Sequence, residues 1–162
     1  RPVFEGGVQT GGNSSALVDA AAAAVVASGA YAKANGKKPL ARVVAAAAVG
    51  VPPEIMGIGP APAIRLLLER TGLKLDDIGR FEINEAQGAQ TLAVGKELRL
   101  DLDKLNVNGG AIALGHPLAC TGVRLTITVA REIRRAGLKY GISSACVGGG
   151  QGIALLLENA EQ

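Results

Sequence analysis

The sequence predicts an α/β fold in which helices pack on a mixed, mostly parallel sheet. Aliphatic runs with the length of buried strands alternate with segments of helical periodicity, which is the pattern of a layered α/β protein. Hydrophobic residues make up 48% of the chain but aromatic residues only 2%, so the core must consist of small aliphatic side chains. The 162 residues suffice for one domain with a substantial core.

A loop followed by a helix is predicted for the N-terminal part of the chain. Asn13 or Ser14 is a suitable N-cap for a helix that enters the alanine-rich run. Residues 21–28, AAAAVVAS, either finish this helix or form a buried strand, and periodicity does not separate the two. A charged, turn-like NGKKP segment then marks a boundary, which divides the chain into residues 1–36 and 37–162.

Strands and helices alternate more clearly after this boundary. Residues 41–50 have the composition of a buried strand, and the proline-rich segment 51–62 is predicted to be a loop. A short amphipathic helix follows at 63–72, with Gly72 as the residue that ends it. The next strand and helix are predicted at 80–86 and 90–98.

The last third of the chain predicts a long helix followed by a β-hairpin. Residues 122–137 are amphipathic, and Gly137 ends the helix. The residues predicted to share its apolar face are Val123, Ile127, Ala130 and Ile133. Strands at 140–149 and 152–159 are joined by a tight glycine turn and should pair antiparallel.

Composition and charge argue against several functional classes. The net charge is +3 without a block of basic residues, which disfavours nucleic-acid binding. Apolar stretches are too short, or carry a charge, for a membrane span. Two cysteines do not make a disulfide framework, and the chain is predicted to be cytoplasmic. One histidine and two cysteines cannot supply the usual four ligands of a zinc site, so no metal is expected.

Three loops at predicted strand ends carry chemically useful side chains, and such loops are where open α/β sheets build their sites. These loops contain Asn84, His116 and Cys146. His116 lies between a glycine and a proline, so its backbone is constrained, and an imidazole serves as a base, an acid or a donor to an oxyanion. The glycines after Cys146 leave backbone N–H groups open to a substrate oxygen. Each residue also has an ordinary structural explanation: a turn-forming asparagine, a hydrogen-bonded loop histidine and a buried cysteine.

Several motifs together resemble the C-terminal half of the thiolase family. They are NEA at 84–86, NVNGGAIALGHP at 106–117 and CVGGGQG at 146–152, in this order. The segments TGGNSSALVDAAAA at 10–23 and VGVPPEIMGIGPAPA at 49–63 are similar to thiolase segments as well. The resemblance implies a thiolase fold in which residues 37–162 form the C-terminal domain and residues 1–36 are the end of the N-terminal half.

The resemblance also implies roles for four residues in acyl transfer through a covalent thioester. His116 matches the histidine that activates the nucleophilic cysteine and helps to hold the thioester oxygen. Asn84 matches the asparagine that positions a water in the same oxyanion hole. Cys146 matches the cysteine that moves the α-proton of the acetyl group, and Gly148 matches the N–H donor of the second oxyanion hole.

The substrates implied by the resemblance are coenzyme A thioesters, and no resident cofactor is expected. Ser15, Met56 and Ala86 match positions that bind coenzyme A along its pantetheine channel. The implied reaction is Claisen condensation or thiolysis of 3-ketoacyl-CoA.

The chain departs from the family pattern around the site. Gln87 stands where an aromatic residue is usual, which makes that wall of the pocket more polar. Ala119, Cys120 and Thr121 stand where Gly-Ala-Ser is more typical, and Cys120 is expected to pack at a helix start.

Neither cysteine of the chain matches the nucleophile, which the family carries in its N-terminal half. We therefore expect the 162 residues, which begin at Arg1, to be a piece of a thiolase that does not turn over alone. The expected partners are the N-terminal half and further copies in a homo-oligomer. Two other readings stay open: a non-catalytic binding or assembly module on the same fold, and a relative of the ketoacyl synthases.

Overall fold

The computed structural model describes residues 1–161, which form one four-stranded sheet with helices packed against it. The strands are β1 (Ala41–Gly50), β2 (Ile78–Ile83), β3 (Tyr140–Val147) and β4 (Gln151–Asn159). The α-helices are α1 (Gly29–Ala34), α2 (Pro60–Thr71), α3 (Gly88–Leu98), α4 (Ala111–Leu114) and α5 (Thr121–Arg135). Short 3₁₀ turns lie at Gly11–Asn13, Pro53–Ile58, Leu75–Asp77 and Leu102–Lys104. No helix within residues 1–161 has the length and apolar character that crossing a membrane requires.

The strand order across the sheet is β1-β4-β3-β2. β2 and β3 are parallel, whereas β4 is antiparallel to both of its neighbours, β3 and β1. The predicted α/β fold with a mixed sheet and the predicted hairpin are confirmed, but the expectation of mostly parallel pairing is wrong. β1, β2 and β3 do run in one direction. Because β4 returns from β3 and lies between β3 and β1, it makes two of the three neighbouring pairs antiparallel.

α2 begins at Pro60, inside the segment that was predicted to be a loop. Proline is well tolerated in a first helical turn, because its missing N–H would have no helical partner there. α2 ends at Gly72 as predicted, and the φ of 69° at Gly72 is left-handed. Ile64 and Leu67 are fully buried and belong to the larger part of the core, under β1 and β4.

The apolar face predicted for α5 is confirmed in part, because Ala130 and Ile133 are buried. Leu125, Val129 and Ile133 are buried, while Val123 and Ile127 are only half-buried. The buried residues recur every four positions along one face of the helix. Two neighbouring rows of α5 are apolar, so periodicity alone does not tell which row faces the sheet.

Alternation along β4 separates the two layers of the core. Ala154 and Leu156 pack in the cluster that contains α2, whereas Leu155 and Leu157 pack in the cluster that contains α5. This follows from the two-residue period of a strand, which points successive side chains to opposite faces. β4 is therefore covered by a helix on each face.

The predicted N-terminal helix is wrong. Asn13 lies in a 3₁₀ turn, and residues 15–28 form neither a helix nor a strand. Ser14 pairs with Gln87 in an isolated antiparallel bridge. Ser15 also donates its backbone N–H to the carbonyl of Ala86, so both residues are tied to the loop after β2 and the chain stays extended instead of coiling into a helix.

The N-terminal 36 residues have little support from the rest of the chain. None of residues 1–36 is buried. Val25 and Val26 are 96% and 86% exposed. A run of exposed valines and alanines is an apolar surface that favours association.

Gly59 and Gly152 make a close backbone contact where α2 begins beside β4. A Cβ added to Gly152 would overlap the carbonyl group of Gly59, and a Cβ added to Gly59 would lie 2.8 Å from Cα of Gly152. Only glycine fits at either position, so this contact fixes how closely α2 approaches the sheet.

We expect Gly152→Ala to lower the free energy of unfolding by about 1–3 kcal/mol, because the added methyl group can be accommodated only if backbone moves. The matched control is Gly122→Ala in α5, where a Cβ meets nothing within 4 Å. That change should be neutral or slightly stabilising, since alanine is the better helix former. Urea unfolding of both variants measures the difference, and equal effects would contradict the close-contact explanation.

Candidate active site

The site lies at the carboxyl ends of β2 and β3. Asn84 directly follows β2, and its backbone N–H donates to the carbonyl of Ser144 on β3 at 2.9 Å. The Asn84 side chain is buried, and its Nδ2 lies 3.3 Å from Nε2 of His116. The Oδ1 atom of Asn84 is buried without a hydrogen-bond partner among the described residues. The structure therefore brings two of the predicted site residues into contact.

Asn106 holds the histidine loop against the end of β2. Its Oδ1 accepts the N–H of Ile83 at 2.9 Å, and its Nδ2 donates to the carbonyl of Ile83 at 2.9 Å. The same Nδ2 donates to Oε1 of Glu85 at 2.9 Å. Asn106 has a φ of 47°, a left-handed conformation that asparagine tolerates better than most residues. Its side-chain amide thus pairs with β2 as a neighbouring peptide group would.

Glu85 fastens a second point of the same loop. Its Oε2 accepts the N–H of Ile112 in the first turn of α4 at 3.3 Å. The carboxylate also occupies the space beside Gly110 in which any side chain would need to lie. Glycine at this position is what lets the Glu85 carboxylate approach the loop.

His116 is held on three sides. Its backbone N–H donates to the carbonyl of Ala16 at 2.8 Å. On the ring, Nδ1 lies 2.7 Å from Oγ1 of Thr121, and Nε2 faces Asn84. The preceding Gly115 has a φ of 93°, which L-residues rarely adopt. The rigid mounting predicted for this histidine is therefore present, and it includes a contact from the N-terminal segment.

One face of His116 opens into a cleft of about 450 Å³. The cleft is formed by the N-terminal segment on one side and the histidine loop on the other. Its lining residues are Leu17, Val18, Asp19, Ala20, His116, Pro117, Leu118 and Ala119. Most of these side chains are apolar.

Burial and the neighbouring charge of Arg124 determine the protonation state of the imidazole. Burial lowers the pKa of His116, and the nearby guanidinium of Arg124 lowers it further. Arg124 Nη1 lies 3.2 Å from Oε2 of Glu82, a carboxyl group that is only 1% exposed. Burial raises the pKa of Glu82 from 4.5 to about 7, although the attraction of Arg124 opposes the rise. Burial, with the charge of Arg124 added to it, therefore favours a neutral imidazole near neutral pH.

Cys146 lies near the end of β3, the strand beside β2. The parallel register pairs Ile83 with Ser144, so Asn84 and Cys146 lie at the same end of the sheet, although Cys146 is still paired with Gly152 of β4. The thiol is partly buried, and burial raises its pKa. Gly148 follows in the turn to β4, and the space beside its Cα is open.

The second cysteine is a packing residue, as predicted. Cys120 is buried and its backbone N–H donates to the carbonyl of Pro117 at 2.9 Å. It directly precedes α5. None of the hydrogen bonds found among the described residues involves its thiol.

Two of the three residues predicted along the pantetheine channel meet in the structure. Both the backbone N–H and the side-chain hydroxyl of Ser15 donate to the carbonyl of Ala86 at 3.1 Å. Met56 lies on the 3₁₀ turn Pro53–Ile58 and is partly exposed. No hydrogen bond joins Met56 to the other two in the described part of the chain.

Sequence reasoning missed five residues that organise the site. They are Glu82, Glu85, Asn106, Thr121 and Arg124. Glu82 offered one usable signal, since a charged residue inside the apolar strand FEI needs a buried partner. Thr121 offered only its place near a helix start, five residues after His116. Within residues 1–161 no group of three potential ligands that could hold a metal ion is present.

The arrangement combines a neutral imidazole, an amide with an unpartnered buried oxygen, a protonated thiol and a glycine turn at one end of the sheet. These are the parts of a site for proton transfer and oxyanion stabilisation. The family model of the thiolase C-terminal domain matches residues 37–159. The chain therefore belongs to the thiolase family, and the resemblance seen in the motifs is confirmed.

Relatives and solved structures agree with this assignment. The chain is 53% identical over 159 residues to the mitochondrial 3-ketoacyl-CoA thiolase of Bos taurus, which covers 98% of this chain and 40% of the relative. It is 48% identical over 159 residues to the acetyl-CoA acetyltransferase of Escherichia coli, again covering 98% of this chain and 40% of the relative.

The crystal structure of human mitochondrial 3-ketoacyl-CoA thiolase superposes on 98% of this chain and 40% of its own, with a TM-score of 0.91 and 46% identity. A second human structure, in complex with CoA, has the same TM-score. The chain thus spans about 40% of the length of these relatives.

We expect Arg124→Gln to raise the pKa of His116 toward its ordinary value near 6.5, because a positive charge beside the ring disfavours the imidazolium. His116 is the only histidine, so one ring resonance followed by NMR through a pH titration gives its pKa directly. Arg65→Gln is the matched control, since Arg65 forms an exposed pair with Glu97. A titration midpoint that stays in place or falls in the Arg124 variant would refute the electrostatic role.

Proposed function

We propose that this chain supplies the histidine, asparagine and acid–base cysteine of a thiolase-type acyltransferase. The reaction is thiolysis of a 3-ketoacyl-CoA by coenzyme A, or the reverse Claisen condensation. The observation that carries the proposal is the contact between Asn84 and His116, which lies at the end of the sheet where Cys146 stands near the carboxyl end of β3. A member of the thiolase family with this geometry is suited to that chemistry.

His116 acts as the base in the first half of thiolysis. Nε2 takes the proton of a nucleophilic thiol, and the sulfur then attacks the 3-keto carbon of the substrate. The bond between the α- and β-carbons breaks, which leaves an acyl thioester on the sulfur and the enolate of acetyl-CoA. We propose that the nucleophilic thiol belongs to the N-terminal half of the family's architecture, since Cys120 is buried at the start of α5.

Cys146 protonates the α-carbon of the departing enolate. The raised pKa of its thiol supports this role, because a thiol that holds its proton near neutral pH is an acid rather than a nucleophile. The enolate oxygen carries the developing charge, and backbone N–H donors such as that of Gly148 would stabilise it. Coenzyme A then gives its thiol proton to the Cys146 thiolate and attacks the acyl thioester. The nucleophilic sulfur leaves and recovers its proton from His116, which releases the shortened acyl-CoA.

Asn84 positions a water in the oxyanion hole that it shares with His116. The unpartnered Oδ1 supports this assignment, because a buried polar atom without a protein partner is commonly satisfied by an ordered water. Such a water, oriented by the amide, donates its other hydrogen to the substrate oxygen.

Coenzyme A thioesters are the proposed substrates, with no resident cofactor. Ser15, Ala86 and Met56 are the proposed contacts along the pantetheine arm. The cleft beside His116 supports these contacts. Ser15 lies two residues before Leu17, where the cleft lining begins, and its hydroxyl donates to the carbonyl of Ala86 next to the site. Gln87, which is exposed beside Ala86, makes this wall more polar than an aromatic residue would.

The partners are proposed from the exposed N-terminal segment. Residues 1–36 would belong to the other thiolase half, and their apolar run would pair with its strands. Assembly into a homo-oligomer also stays a prediction, as does the division at residues 36 and 37. The cytoplasmic location stays a prediction too, since the relatives include mitochondrial and bacterial proteins.

A hybrid enzyme tests the proposed function. The matched C-terminal part of the Escherichia coli acetyl-CoA acetyltransferase is replaced by this chain, and thiolysis of acetoacetyl-CoA is assayed. We expect activity that falls on the order of 10²–10⁴-fold in His116→Ala and in Cys146→Ala, because each change removes a proton-transfer group. The isolated 162-residue chain should show no turnover.

Cys120→Ala is the matched control in the same hybrid, because it removes the thiol that only packs. A hybrid that folds and assembles but is inactive favours the non-catalytic module, for which Gln87 is the suggestive departure. Unchanged rates in both the His116 and the Cys146 variants would refute the assigned roles.

A further inference from the structure

Thr121 is the only side chain in the described residues that contacts Nδ1 of His116. It is the first residue of α5 and is almost fully buried. Its Oγ1 lies 2.7 Å from Nδ1 and 3.0 Å from the carbonyl of Pro117. The hydroxyl has one proton to donate, so its two contacts must differ in direction.

The Thr121 hydroxyl donates its proton in a hydrogen bond to the carbonyl of Pro117. Bonds from a threonine hydroxyl to the carbonyl four residues earlier recur along this helix, from Thr126 to Gly122 at 2.8 Å and from Thr128 to Arg124 at 2.9 Å. Such bonds are common for threonine in helices. With the proton committed to the carbonyl, the oxygen lone pair faces the imidazole, so Nδ1 must carry a hydrogen.

The other end of the ring gives the same answer independently. Nε2 faces Nδ2 of Asn84, and an amide nitrogen is a donor only. A hydrogen on Nε2 would place two donors against each other, whereas a bare Nε2 accepts from Asn84. With the Asn84 amide in this orientation, the two contacts agree on one neutral form of the imidazole.

We infer that Thr121 is a positioning residue that holds His116 in the tautomer with the hydrogen on Nδ1, leaving Nε2 bare on the side of Asn84. The inference deepens the proposed function, on which its catalytic meaning rests, because only a bare Nε2 can take the thiol proton, and the thiol must share or displace the 3.3 Å contact with Asn84. Threonine at this position is also one of the departures from the usual Gly-Ala-Ser pattern. Its methyl group adds packing that serine lacks and restricts the rotation of the hydroxyl.

Burial lowers the pKa of the His116 ring first, and the charge around the ring adds to this effect. Arg124 approaches from α5, and Glu82 on β2 anchors it. Asp19 in the N-terminal segment lines the same cleft as His116, Glu85 follows Asn84 in the next loop, and the Cys146 thiol lies at the same sheet edge. Of these, Arg124 is the group that moves the pKa of His116, and it does so downward.

A competing arrangement is chemically complete as well. Rotating the Asn84 amide by half a turn would bring Oδ1 to Nε2, which would then carry the hydrogen. The Thr121 hydroxyl would donate to Nδ1 instead of to Pro117. The two arrangements differ in which ring nitrogen is bare, and that is directly measurable.

Nitrogen-15 NMR of the 162-residue chain decides between them. Protonated and bare imidazole nitrogens resonate far apart, and His116 gives the only histidine signals. Above the titration midpoint of the ring we expect the hydrogen on Nδ1. A hydrogen on Nε2 in the unmodified chain overturns the inference without any variant.

Three variants separate positioning from packing. Thr121→Val keeps the shape but removes the hydroxyl, and we expect the Nδ1–H form to lose its dominance. Thr121→Ser should restore it. Thr128→Val makes the same change at the same kind of helix bond away from the ring, and the tautomer should stay unchanged. A Thr121→Val chain that folds and keeps the full Nδ1–H signal refutes the role of Thr121.

The outcome is independent of the acyl-transfer assay. An inactive hybrid enzyme with the hydrogen on Nδ1 would refute the proposed function and leave the tautomer inference intact. An active hybrid with the hydrogen on Nε2 would do the reverse.

Discussion

The side-chain amide of Asn106 is the interaction on which the candidate site depends. It bonds to both the N–H and the carbonyl of Ile83, and so extends the hydrogen-bond ladder of β2 by one peptide-like group. The backbone of the same residue donates to the carbonyl of Phe81 at 2.9 Å. Three hydrogen bonds therefore tie Asn106 to the last residues of β2, directly before the site. Losing a buried bond of this kind leaves the strand's own polar groups unsatisfied, at about 1–3 kcal/mol each.

The rest of the site follows from that anchor. With Asn106 in place, Glu85 can reach the loop beyond it, and His116 arrives opposite Asn84. The start of α5 then fixes the ring from behind through Thr121. Asn84, Asn106 and Thr121 are buried, and Glu85 and His116 are partly buried and hydrogen-bonded, so little freedom remains to be lost when a substrate arrives. Pre-organisation of this kind suits a residue that must serve as a base at a fixed distance from its partner.

The sequence predicted those features of the site that have local signals. The glycines and proline around His116 indicated a rigid loop, and Asn84 and Cys146 were placed at strand ends because apolar runs stop there. The contacts among these residues could not be predicted, because they depend on how strands pair: β4 between β3 and β1 is a tertiary choice with no local signature. The prediction of a helix or a strand for the alanine-rich residues 21–28 was wrong for another reason. Tertiary contacts decide their conformation, because the bridge from Ser14 to Gln87 in the loop after β2 overrides the capping preference of Ser14.

The most direct test of the account compares Asn106→Ala with Asn108→Ala, a change two residues later in the same loop. Asn108 donates to Glu132 on α5 and has no bond to β2 in the described residues. Nuclear Overhauser contacts between the His116 ring and the Asn84 side chain report whether the two still meet. We expect the contact between His116 and Asn84 to be lost in Asn106→Ala while the sheet remains folded, and to persist in Asn108→Ala. An unchanged contact in a folded Asn106→Ala chain would contradict the claim that this one amide builds the site.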